Sequence, residues 1–107
     1  MARFRLTAVA VVLFLILGSL APTFAADAAA TFKSKCAACH GPDGGGNTPM
    51  GKKLAVAPLG SPKVQQQADA VLLGVLTKGK GKMPAYGKLP EPELKALVAH
   101  VRSFAKK

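Results

Sequence analysis

The sequence is short of the residues that usually build a small core. It has no tryptophan and one tyrosine, and aromatics make up only 6% of its 107 residues. Acidic side chains are scarce too, five against fifteen Lys and Arg, which gives a formal net charge of +10. There are two cysteines and two histidines. That is too few cysteines for a framework of several disulfides. A structural zinc site needs four ligands, and it would have to recruit His100, sixty residues beyond His40. No stretch alternates apolar and polar residues as a half-buried strand would, and nothing repeats. Gly44-Gly45-Gly46 lacks the Lys and Ser/Thr ending of a phosphate-binding loop.

Both cysteines fall in one pentapeptide, Cys36-Ala37-Ala38-Cys39-His40. C-x-x-C-H is the attachment pattern of c-type haem. On a helix, positions i, i+3 and i+4 share a face. Both thiols can therefore meet the two vinyl groups of one porphyrin, and the imidazole rises on the same side with a nitrogen for iron. A thioredoxin-like pair would want a βαβ pattern, which is missing. A disulfide between cysteines three apart closes a very short loop and is a poor staple. Haem is the reading that uses all three residues, and a thioether-bound haem over a histidine is an electron-transfer centre.

The first residues read as an export signal. Arg3 and Arg5 form a positive start, Leu6 to Leu17 is an apolar run, and small residues follow. Cleavage is expected after Ala25, giving a signal peptide over 1–25 and one domain over 26–107. An uncleaved anchor is the alternative, although the run is shorter than the roughly 20 residues a spanning helix needs. Loss of Arg3 and Arg5 takes the net charge from +10 to about +8. A domain of this size has a marginal core without a staple, and a covalent haem would be one.

Asp27 to Cys39 reads as the first helix, with Asp27 as N-cap and Phe32, Cys36, Cys39 and His40 on one face. Gly41-Pro42 ends it. Gly41 to Pro62 reads as a loop, broken by prolines and anchored by Leu54, Val56 and Leu59. So long a loop suits wrapping a haem edge. Val64 to Lys78 reads as a second helix with an apolar stripe of Val71, Leu72, Val75 and Leu76. A Lys- and Gly-rich loop carries Met83-Pro84-Ala85-Tyr86. Pro90 to Phe104 reads as the last helix, burying Leu94, Leu97, Val98, Val101 and Ala105, with Glu91 and Glu93 at its positive end and Lys106 and Lys107 at its negative one.

The order of C-x-x-C-H, helix, Met-Pro loop and terminal helix resembles the class I c-type cytochromes. The resemblance rests on Phe32–Gly41, Gly79–Gly87 and Leu94–Phe104. It implies an all-α fold, three or more helices wrapped round one covalently attached haem, with the first and last helices crossing near their ends. It implies that Cys36 and Cys39 hold one haem c through two thioethers, that His40 binds iron from one side and that Met83 binds it from the other. Pro49 matches the family proline whose carbonyl accepts from the histidine's second N–H, though Thr48 stands where the family usually has glycine. Tyr86 is placed to brace the methionine loop through its hydroxyl. Met50, ten residues after His40, is the rival sixth ligand. His100 stands where the family commonly has an aromatic residue, and packing against Phe32 is expected of it.

These residues point to a soluble, exported, periplasmic one-electron carrier, monomeric and without catalytic activity of its own. The alternative is a haem subunit of a larger periplasmic or membrane oxidoreductase complex. Lys78, Lys80, Lys82 and Lys88 bracket Met83 and would steer an acidic redox partner, a membrane oxidoreductase or terminal oxidase, toward it. Export argues against nucleic acid as the basic surface's partner, and contact with a membrane would come only through protein partners.

Overall fold

The computed structural model describes residues 24–105. The expected signal segment lies outside them apart from Phe24 and Ala25, as do Lys106 and Lys107. The described chain is helical, with no strand and a single isolated antiparallel bridge between Lys80 and Met83. Its elements are α1 (Phe24–Thr31), a π-helical turn (Phe32–Cys36), α2 (Ala37–His40), α3 (Pro49–Lys53), α4 (Pro62–Gln65), α5 (Asp69–Lys78) and α6 (Glu91–Arg102).

The core is the seam between the first and last helices. Ala28 and Phe32 meet Leu94, Leu97 and Val98, and Leu76 of α5 joins them; all six are buried. Ala28, fully covered, lets the helices approach closely. Burying a side chain such as Phe32 or Leu97 is worth about 1.5–3 kcal/mol. Polar contacts pin the same seam at its rim. The hydroxyl of Thr31 donates to the carboxylate of Glu93 at 2.6 Å. Phe32, His100 and Phe104 form a triangle of rings with centroids 5.0–5.2 Å apart.

Several boundaries differ from the sequence expectation. Asp27 is not a cap but lies in the first turn of α1, which already runs from Phe24. The expected loop over 41–62 contains α3, because Thr48 caps it and Pro49 is preset for a first helical position. The expected helix over 64–78 is two helices. Arg102 explains the break: its guanidinium donates to the carbonyls of Gln65 at 2.8 Å and Gln67 at 2.5 Å, and pairs with Asp69 at 2.8 Å. Backbone acceptors that a continuous helix would use internally are satisfied from α6 instead. Val71, counted in the apolar stripe, is 50% exposed, and Ala105 is exposed as well. The last helix stops at Arg102, where Ser103 closes onto the carbonyls of Ala99 and His100.

Candidate functional site

The C-x-x-C-H segment sits across a change of helix type. In the π turn the amide of Ala37 reaches back to the carbonyl of Phe32. The extra residue per turn rotates α2 about the helix axis relative to α1. Phe32 can thus face the core while Cys36, Cys39 and His40 are only half-buried. Both cysteines are free thiols. Burial raises the pKa of the Cys36 thiol, against the lowering field of Lys35, and the neighbouring Cys39 adds to the rise.

Thr48 locks the carboxyl end of α2. Its hydroxyl donates to the carbonyls of Ala38 (2.8 Å) and Cys39 (3.1 Å) and accepts from the amide of Gly51 at 2.9 Å. One side chain therefore caps α3 and clamps α3 to the segment that carries both cysteines. Gly51 makes the clamp possible, since a Cβ there would run into the carbonyls of Cys39 and Gly46. Sequence reasoning missed this role, treating Thr48 only as a departure; the S/T-Pro pair ahead of a short segment is the signal that could have found it.

Two adjoining cavities open beside this segment, of about 150 and 480 Å³. Cys36, His40, Val64, Gln67, Val75, Lys80 and Met83 line both, so they are lobes of one cleft. Its size is that of a cofactor site. The narrow lobe is walled by Phe32, Leu59, Leu72, Leu76, Leu97, Val98 and Val101, and the wide lobe adds Cys39, Leu54, Val56, Pro84 and Tyr86. The imidazole of His40 is held below its usual pKa by burial, and its Nδ1 is buried without a hydrogen-bond partner. The carbonyl of Pro49 therefore does not accept from it, contrary to expectation. With Thr48 as N-cap, Pro49 is the first residue of α3, and helical carbonyls point along their own axis.

Met83 reaches the cleft from the loop after α5. Its amide and carbonyl pair with Lys80 at 2.9 and 3.2 Å. Gly79, at φ 77°, turns the chain there, and a Cβ would lie 2.7 Å from the carbonyl of Met83. Tyr86 closes the loop, its amide donating to the carbonyl of Leu76 at 2.7 Å and its hydroxyl to the carbonyl of Lys35 at 3.2 Å. Burial, then the two nearby thiols, raises its pKa. Met50 is 46% exposed and lines neither lobe. His100 lines neither and packs against Phe32 and Phe104. Of the lysines expected to meet a partner, Lys80 and Lys82 reach the cleft wall, whereas Lys78 and Lys88 are exposed away from it. Lys35 and Lys63, not singled out from sequence, also line the wide lobe.

Two thiols, an imidazole nitrogen with no protein partner and a thioether around an apolar cleft suit a haem and its iron. Helices without a sheet, gathered round such a cleft, define a c-type cytochrome domain. The family described as cytochrome c oxidase, cbb3-type, subunit III matches residues 23–101, and the chain belongs to it. A solved structure, the KustC0563 c-type cytochrome, superposes with a TM-score of 0.66 at 28% identity, covering 74% of this chain and 98% of that one. No curated protein matches. The family implies electron transfer with haem c, rather than catalysis. Among the described residues no helix is long and apolar enough to cross a membrane.

Proposed function

We propose that this protein is a soluble, exported one-electron carrier holding a single haem c, with Cys36 and Cys39 as thioether anchors and His40 and Met83 as axial ligands. The observation that carries the reading is that Met83 and His40 line both lobes of the same cleft, while Met50 lines neither. When bound, the haem supplies an iron that cycles between ferrous and ferric states. The chain's own residues do the rest. With His40 and Met83 both held to the iron, no position would remain open for a substrate. Thr48 and Tyr86 hold the two ligand-bearing segments, which limits movement when the iron changes charge. The leucine and valine walls would keep water from a bound ring and so disfavour its more highly charged oxidised form.

Absorption spectra of the purified protein, reduced and oxidised, test the ligation. A near-infrared band of methionine–ferric haem is expected, lost in Met83→Ala and retained in Met50→Ala; the reverse pattern would sink the assignment. The family's name favours a second reading, a haem subunit of an oxidoreductase complex. A carrier purifies alone as a monomer, and a subunit purifies with a larger partner. Release to the periplasm after loss of residues 1–25 would be seen as a mature N-terminus at Ala26.

A further inference from the structure

The wide lobe carries a charge pattern that axial ligation leaves unused. Lys35, Lys63, Lys80 and Lys82 all reach its wall. None of the chain's five acidic residues lines either lobe. Four lysines and no carboxylate on a cleft with apolar walls set a positive field in it. An anion seated there would be favoured. A haem carries two propionate carboxylates, on the ring edge away from the vinyl groups that become thioethers.

The four lysines are not equivalent toward that edge. Lys35 directly precedes Cys36 and belongs to the thioether side. Lys82 adjoins Met83 and lines only the wide lobe. Lys63 stands on α4, and Lys80 lines both lobes from the turn that pairs with Met83. Gln67 reaches both lobes from the segment after α4. Arg102 holds that segment in place through the carbonyls of Gln65 and Gln67, so Lys63 is carried on a braced element although its own side chain is exposed.

We infer that Lys63 and Lys80 bind the haem propionates and thereby hold the reduction potential up. The inference rests on the covalent haem proposed above. Its sign follows from charge. Oxidation adds one positive charge to the iron, so nearby ammonium groups oppose it, and they also neutralise carboxylates that would favour it. Lys63 and Lys80 are both exposed, so it is direct contact with the carboxylates, at separations well inside the screening length, that leaves the effect standing at high salt.

The test measures the reduction potential of the full haem-loaded chain carrying Lys63→Gln, Lys80→Gln or both, at low and high salt. Lys95→Gln serves as reference, because Lys95 is exposed on α6 beside Glu91 and lines neither lobe. The potential is expected to fall in each Gln variant and furthest in the double one, at both salt concentrations, and Lys63→Arg should restore it. Lys95→Gln should match the unsubstituted protein. A double variant at the unsubstituted potential would overturn the inference, as would a fall that vanishes at high salt. Loss of the methionine band in Lys80→Gln would overturn the assignment for Lys80, since the residue would then act through Met83; Lys63, on a separate element, is judged independently. Absence of covalent haem from the unsubstituted chain, read from its denatured spectrum, would remove the haem reading itself, a result distinct from loaded protein whose potential ignores both lysines.

Discussion

The hydroxyl of Tyr86 donates to the carbonyl of Lys35 across 3.2 Å, joining residues fifty-one apart in the chain. Lys35 immediately precedes Cys36, and Tyr86 lies three residues after Met83. This bond therefore links the cysteine-bearing segment to the methionine loop, between two residues that line the wide lobe. A long, partly solvated bond of this kind is worth about 0.5–1 kcal/mol. Tyr86→Phe should keep the fold and haem content. It should raise the apparent affinity for an exogenous ligand that competes with Met83, such as imidazole, by roughly two- to fivefold. Titration of the ferric protein would show this, and an unchanged affinity would mean that Tyr86 merely fills space.

The two thiols differ in position, Cys36 ending the π turn and Cys39 lying within α2. Each single Cys→Ser variant is expected to leave one thioether or none, with a sharp loss of yield. The double variant should release its haem on denaturation in acid and organic solvent. Haem that stayed with the double variant through that treatment would disprove attachment at these residues.

Thr48 serves two segments with one hydroxyl, and valine matches its shape without the oxygen. Thr48→Val should cost about 1–2 kcal/mol of stability, the range for losing a helix cap. Urea unfolding followed by circular dichroism would measure it, and Thr48→Ser should recover most of the loss. Equal stability in the valine variant would show that solvent satisfies the carbonyls of Ala38 and Cys39 just as well.

Lys78, Lys82 and Lys88 are all exposed around the methionine loop. If they guide an acidic redox partner, changing all three to Glu should slow second-order electron transfer at low ionic strength by about tenfold or more, with the deficit shrinking as salt is added. Stopped-flow reduction at a series of salt concentrations separates this from a solubilising role, which predicts equal rates throughout.

The site was legible in the sequence where its geometry is local. Cys36, Cys39 and His40 lie within five residues, so helical spacing alone brings them to one side of any helix that forms there, whatever packs against it. The apolar faces of the first and last helices, Phe32 on one and Leu94, Leu97 and Val98 on the other, were readable for the same reason. The π turn was not, because widening one turn is a compromise between the core's demand on Phe32 and the cleft's demand on Cys36. Residue spacing favoured Met83 over Met50, which stands only ten residues after His40 and would tend to stay on the histidine's side of a ring, but it did not fix where either side chain lies. Each lies on a short segment whose direction depends on distant partners, the carbonyls of Ala38 and Cys39 for the segment bearing Met50, and those of Leu76 and Lys35 for the loop bearing Met83. The break between α4 and α5 was equally invisible, since the group that satisfies its carbonyls, Arg102, lies more than thirty residues away. Periodicity reports which face of an element is apolar. Which polar group ends an element, and which side chain it turns toward the cleft, is decided only when remote segments supply the missing hydrogen bonds.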